Sequence, residues 1–126
     1  MTVPVNLQYT DSHEWVRLEV DGVATVGITD HAQEALGDIV QLELPIIGIT
    51  VVAGTPVATI ESVKAASDVH APVSGEIVEV NSDLAASPEV INAAPYESWL
   101  FRIKLGNDDA LATLVTAEEY TRAVET

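Results

Sequence analysis

Through the centre of the chain, apolar β-branched residues alternate with polar ones between glycine and proline punctuation, a two-residue period that predicts short strands. Trp15 to Val20 and Val23 to Ile28 flank Asp21-Gly22, the pairing of a tight hairpin. The period then changes. Thr29 or Asp30 suits a helix N-cap, Gln33 stands three residues after Asp30, and Gly37 suits the left-handed position past Leu36. A helix of about two turns is predicted there, with Ala32, Ala35 and Leu36 on its buried face. Pro56 to Ile60 and Ala66 to His70 read as strands leading into and out of a turn, and Pro72 and Gly75 close the return. Ser87-Pro88 opens a short helix through Ile91, and Trp99 to Lys104 alternates like a strand. Thr116-Ala117-Glu118-Glu119 is a capping box, with Val115 and Tyr120 spaced as a hydrophobic staple, so a final helix over roughly residues 117–125 is expected.

Two segments share one pattern. Gly37-Asp38-Ile39-Val40-Gln41-Leu42-Glu43 and Gly75-Glu76-Ile77-Val78-Glu79-Val80-Asn81 both run glycine, acid, isoleucine, valine, polar, apolar, polar. Similar half-units pair into a small sandwich or barrel, which forces the joining segment into a surface turn. Val40, Leu42, Val57, Ile60, Val78 and Val80 are the expected core contributors, subject to strand register.

Composition narrows the function. A chain of 126 residues has room for one domain with a real core. Hydrophobic residues make up 48%, but Gly48, Thr50 and Gly54 break the longest apolar run well short of the roughly 18 residues that span a bilayer. Met1-Thr2-Val3-Pro4-Val5 has neither the basic-then-apolar order of a secretory leader nor the arginine-rich character of a transit peptide, so a cytoplasmic protein or a processed mitochondrial one is expected. Twenty acidic residues against five lysines and arginines give a formal net charge of -15. That balance repels phosphate backbones and anionic lipid, so neither nucleic acid nor membrane is an expected partner; it favours solubility or steering toward basic protein surfaces. With no cysteine, thiol chemistry has to come from a prosthetic group.

Between Arg17 and Arg102 the one lysine or arginine is Lys64, in Glu61-Ser62-Val63-Lys64-Ala65 at the turn between the two central strands. A tight turn between rigid strands offers an amine to a modifying enzyme with little loop disorder to remove. A solvated lysine paired with Glu61 or Asp68 is the plainer alternative. His13, His31 and His70 lack the spacing that puts two ligands on one helix face, so no metal site is expected. There is no Gly-x-Ser-x-Gly elbow and no glycine-rich phosphate loop ending in lysine, which argues against an independent enzyme activity.

The run from Glu61 to Asp68, followed by Ala71-Pro72-Val73-Ser74-Gly75-Glu76, resembles the lipoylation site of the glycine cleavage system H proteins. Ser12-His13-Glu14-Trp15-Val16, Val26 to Gln33, Leu36 to Val40, Glu43-Leu44-Pro45 and Val80-Asn81 look like segments of the same family in the same order, over about residues 7–125. Two places depart from the family pattern: Ser98 stands before Trp99 where a glycine is common, and Pro45 to Thr50 is unusually apolar. The resemblance implies a mainly β fold, a lipoyl-domain-like barrel-sandwich hybrid with an N-terminal hairpin, short helices and a C-terminal helix. It would be a single lipoyl-carrier domain over 1–126, with a core about 23–105 and a C-terminal extension about 107–126.

It also implies lipoate attached to Lys64, with Glu61, Ser62, Val63 and Ala65 recognised by the lipoate-attaching enzyme. The chain would then be a non-catalytic carrier, expected as a monomer. It would take an aminomethyl group from glycine decarboxylase to the aminomethyltransferase and be reoxidised by dihydrolipoyl dehydrogenase. Since the cargo is cationic, an acidic groove would hold it between stations, and Ser12, Glu14, His31 and Asp68 are the residues of family-like segments that offer acceptors. Rival readings are an H-like protein relaying lipoyl groups to other enzymes, a biotin carrier, and a scaffold whose lysine is never modified. Biotin carriers place methionine on both sides of the lysine, where Val63 and Ala65 stand here.

Overall fold

The computed structural model describes residues 3–106 and 114–125; the remainder of the expected C-terminal extension, 107–113 and 126, lies outside the described residues. The strands are β1 (Gln8–Tyr9), β2 (Glu14–Leu18), β3 (Val23–Ile28), β4 (Ile39–Glu43), β5 (Thr50–Val51), β6 (Pro56–Ser62), β7 (Ala66–His70), β8 (Gly75–Val80) and β9 (Phe101–Leu105). The helices are α1 (Asp30–Leu36), α2 (Ser82–Ala86), α3 (Val90–Ala93) and α4 (Ala117–Glu125). Six strands form one sheet in the order β1-β2-β3-β9-β8-β5, and three form a second in the order β4-β6-β7. Both sheets are antiparallel and share one core, to which Val26, Ile77, Phe101 and Ile103 contribute from one side and Leu42, Ile60 and Val69 from the other. This is the mainly β sandwich with short helices and a terminal helix that the sequence predicts.

The repeat accounts for both halves and corrects the core assignment. Ile39 and Ile77 are both buried, but Val40 and Val78, expected inside, are exposed at 56% and 36%. The ladder slips at the equivalent place in each half, between Ile39 and Gln41 on β4 and between Ile77 and Glu79 on β8. An inserted residue in a bulge breaks the alternation and turns its side chain outward. Leu42 and Ile60 are buried as expected, while Val57 and Val80 pack against the core from partly buried positions.

Helix α1 starts where its cap signal stands, with the Thr29 hydroxyl accepting from Ala32 N and Gly37 at φ +79 closing it. Leu36 is its buried residue; Ala32 is half-buried, and Ala35, expected on the buried face, is exposed, because a helix of only seven residues buries a narrow stripe. The expected strand to Val20 ends at Leu18, and Val20 is fully exposed in the hairpin loop. Ser87-Pro88 opens a turn rather than the helix itself: Val90 N and Ile91 N bond back to Ser87 and Pro88, and α3 follows.

A second cluster ties the chain ends together. Leu7, Tyr9 and Trp15 pack against Ala117 and Tyr120 of α4, and the Tyr9 and Tyr120 rings stack 4.9 Å apart. The capping box forms in both directions: Glu119 N donates to Thr116 Oγ1 at 3.2 Å, and Thr116 N donates to Glu119 Oε1 at 2.9 Å. These bonds, and then Arg122, hold the Glu119 carboxyl below its usual range. Such a cap is worth about 1 kcal/mol, so Thr116→Ala should lower thermal stability measurably and loosen α4 first, as read by amide exchange along that helix.

Candidate functional site

Lys64 stands at the tip of the β6–β7 hairpin, exposed, in a turn whose order does not depend on its own side chain. Ser62 N donates to Ala65 O at 2.7 Å, and the Ser62 hydroxyl oxygen receives Lys64 N and Ala65 N at 3.3 and 3.1 Å. Val63 N donates to Asp38 O at 3.0 Å, fastening the tip to the turn after α1. That turn is pinned by Asn92 of α3, whose amide donates to Gly37 O and Gln33 Oε1 and accepts from Ile39 N. Asn92 is a support that sequence reasoning missed, because nothing in a four-residue helix marks its asparagine as a brace. A side chain at Gly37 would start 3.4 Å from Lys64 Cε, so the lysine stem crosses the one residue there with no Cβ. Among the described residues Lys64 makes no ion pair, and its suggested partners Glu61 and Asp68 leave the amine unneutralised. Val63 is 69% exposed beside it, and Glu61, Ser62 and Ala65 complete the tip.

A groove of about 590 Å³ opens at the other end of β7, roughly 20 Å of strand from the tip. Ser12, Glu14, Ala53, His70, Pro72 and Tyr120 are among its walls. Glu14 reaches from the six-stranded sheet to the three-stranded one. Its Oε1 accepts the Thr10 and Ser12 hydroxyls, both at 2.6 Å, and its Oε2 accepts His70 N at 3.1 Å. Only 1% of Glu14 is exposed, so its charge lies under the groove floor while Ser12 stands at the surface. The carboxylate therefore makes the groove attractive to a cation, since a charge in a low-dielectric setting is weakly screened.

Of the residues expected around a cargo, Ser12 and Glu14 are brought together here. Asp68 is exposed on β7 between the tip and the groove, two residues from His70 and on the same strand face. His31 lies outside the groove lining, its ring 4.6 Å from that of His13. Thr10 and His70, which line the groove and hold Glu14, were not anticipated; the signal was available only in three dimensions, where β7 meets the N-terminal hairpin.

The groove wall is built on a chain of hydroxyls. Thr29 Oγ1 and His13 Nδ1 each lie 2.7 Å from Tyr120 Oη. Thr29 Oγ1 also accepts Ala32 N, and the Tyr120 hydroxyl bridges Thr29 and His13. Burial pushes the Tyr120 phenol up to about 12, which keeps it a donor. Burial, and then the nearby His31, hold the His13 imidazole below its ordinary range, against an opposing pull from Asp11. The unfolded chain therefore takes up a proton at His13 more readily than the folded one. Stability should fall as pH drops below about 6.5 and level off once the folded imidazole is also charged. His13→Asn, which keeps a residue suited to the φ of +71 found there, should flatten the change in melting temperature between pH 7.5 and 5.5.

An exposed lysine at the tip of an antiparallel hairpin, in a small two-sheet β fold, is the form expected of a carrier of a covalently attached prosthetic group. The chain belongs to the glycine cleavage H-protein family, whose model matches residues 7–126. It is 60% identical over 124 residues to the glycine cleavage system H protein of Paraburkholderia xenovorans (strain LB400), covering 98% of each chain. It is 60% identical over 119 residues, 94% of each chain, to that of Psychrobacter sp. (strain PRwf-1). The crystal structure of a glycine cleavage system H protein from Mycobacterium marinum superposes with a TM-score of 0.87 at 39% identity, covering 98% of this chain and 100% of that one. The protein is thus a lipoyl carrier of the glycine cleavage system and not itself an enzyme.

Proposed function

We propose that Lys64 carries the lipoyl group and that the groove at Ser12 and Glu14 holds the cationic cargo between enzymes. The observation that carries this is the state of Lys64: exposed, free of ion pairs among the described residues, and presented by a turn fixed through Ser62 and Asp38. Its amine is open to acylation, and the residues present fit an amide-linked arm. When attached, lipoate would supply a disulfide able to take up the aminomethyl group and, once that group is passed on, would remain on the chain as a dithiol. The chain's own residues do the rest. Glu61, Ser62, Val63 and Ala65 form the surface read by the lipoate-attaching enzyme. Asp68 offers a carboxylate along β7, Glu14 supplies the buried charge, and His31 steadies His13 and so the Tyr120 wall. A buried carboxylate under the groove favours a carrier of ammonium cargo over a pure lipoyl relay.

The partners in this reading are glycine decarboxylase, the aminomethyltransferase and dihydrolipoyl dehydrogenase. The carrier acts as one unit over 1–126 and as a monomer in the bacterial cytoplasm, with a net charge of -15 opposing self-association. Glycine-dependent carbon dioxide exchange with purified glycine decarboxylase tests it. Lipoylated protein should support exchange; exchange no faster than with the Lys64→Arg variant would remove the glycine role.

A further inference from the structure

The bulge in β4 turns Val40 out of the core, and it does so beside the hairpin tip. With Val63, Val40 lines an open cleft of about 730 Å³ between the tip, β4 and α3, completed by Asp38, Glu89, Asn92 and Ala93. Val40 is 56% exposed and Val63 69%, so two apolar side chains face solvent there. The cleft and the lysine are held together. Val63 N donates to Asp38 O at 3.0 Å, Asn92 braces the same turn, and the lysine stem crosses Gly37. The charged side chains of the cleft are of one sign. Asp38 and Glu89 are exposed, neither forms an ion pair among the described residues, and no lysine or arginine lines the cleft. An apolar surface bordered by carboxylates is complementary to an apolar side chain bordered by basic ones.

We propose that this cleft docks the lipoate-attaching enzyme, which fills it with an apolar side chain flanked by lysine or arginine. The inference rests on Lys64 as the attachment site, and it extends the recognised surface from the hairpin to β4 and α3. Distance selects this partner. In attachment the Lys64 amine attacks the carbonyl carbon of an activated lipoyl group; the C–N bond forms, the activating group departs with its bonding electron pair, and the amine gives up a proton to solvent. That step takes place at Nζ itself, so the attaching enzyme has to cover the tip. The glycine cleavage enzymes act on the sulfur end of the arm, the length of the acyl chain away, and need not. Charge agrees, since a chain of net charge -15 is steered toward a basic surface. The repeat supplies a control: Val78 stands at the equivalent bulge of the other half, 36% exposed, in a separate depression with Leu18, Val20 and Arg102.

Transfer of lipoate to the unmodified full chain by the purified attaching enzyme, followed by intact mass, tests the assignment. Val40→Ser and Glu89→Lys should each lower kcat/KM for the carrier several-fold, chiefly by raising KM, with the melting temperature unchanged. Val78→Ser should match the unsubstituted protein. Once driven to full lipoylation, Val40→Ser and Glu89→Lys should support glycine-dependent carbon dioxide exchange as the unsubstituted carrier does. Attachment to both variants at the unsubstituted kcat/KM overturns the docking role while leaving Lys64 as the anchor. A loss of exchange in the fully lipoylated variants as large as their loss in attachment also overturns it, because the cleft would then serve glycine decarboxylase. No attachment to the unsubstituted carrier overturns the Lys64 reading, and this inference falls with it.

Discussion

Lys64→Arg will leave the fold unchanged and abolish carrier function. The turn is closed by Ser62 N to Ala65 O, by the Ser62 oxygen and by Val63 N to Asp38 O, none of which involves the lysine side chain. An exposed change that keeps the charge is expected within about 0.5 kcal/mol of the original stability. The guanidinium cannot be acylated under the conditions that acylate an amine, because it does not give up its proton. Melting temperature should therefore match the unsubstituted protein while lipoyl incorporation falls to nothing. A variant that unfolds would make Lys64 structural and remove the basis for the swinging-arm reading.

Trp15→Ala should produce the largest loss of stability. The indole is fully buried, lies against Gly27 on the paired strand, and donates from Nε1 to Pro95 O at 3.0 Å. A Cβ at Gly27 would sit 2.4 Å from the ring, so the glycine is what lets the indole lie flat on β3. Removing the ring deletes a large buried apolar group, opens a cavity beside Tyr9 and Tyr120, and leaves Pro95 O without its donor. A cost of about 3–5 kcal/mol is expected. In a chain of this size that is a drop of roughly 10–20 °C in melting temperature. Trp15→Phe should lose much less, since it keeps a ring against Gly27 and forfeits the bond to Pro95. A small effect of Trp15→Ala on the melting temperature would mean that the N-terminal hairpin is not held by this cluster.

Much of the fold was legible where local chemistry decides it. The Thr29 cap, the Gly37 stop, the reciprocal Thr116–Glu119 box and the strands either side of Lys64 all follow from side chains acting within a few residues of themselves. The bulges at Val40 and Val78 were not legible, because a slipped ladder depends on the partner strand and a period-two reading assigns the wrong face beyond it. Short β1 and β5 were missed for a related reason: two residues carry no periodicity, and their strand character comes from pairing with β2 and β8. Helix α2 had only its Asn81 cap as a signal. For the site, Lys64 was marked by its isolation among acidic and neutral residues, and Ser12 and Glu14 by their family-like segment. His70 carried no such mark. Its place beside Glu14 exists only once β7 has packed against the N-terminal hairpin, 56 residues away in sequence. The apolar run Pro45 to Thr50, which departs from the family pattern, leaves Ile46, Ile47 and Ile49 exposed, so its hydrophobicity is not spent in the core.

The most direct test of the attachment site is a tryptic digest of protein expressed with an active lipoate-attaching pathway. Lys64 is the sole cleavage point between Arg17 and Arg102, and an acylated lysine is neutral and resists trypsin. Lipoylation therefore predicts one fragment, residues 18–102, heavier by a lipoyl group, in place of two. Recovery of unmodified fragments 18–64 and 65–102 as the whole of that region would contradict the assignment of Lys64 as the arm's anchor.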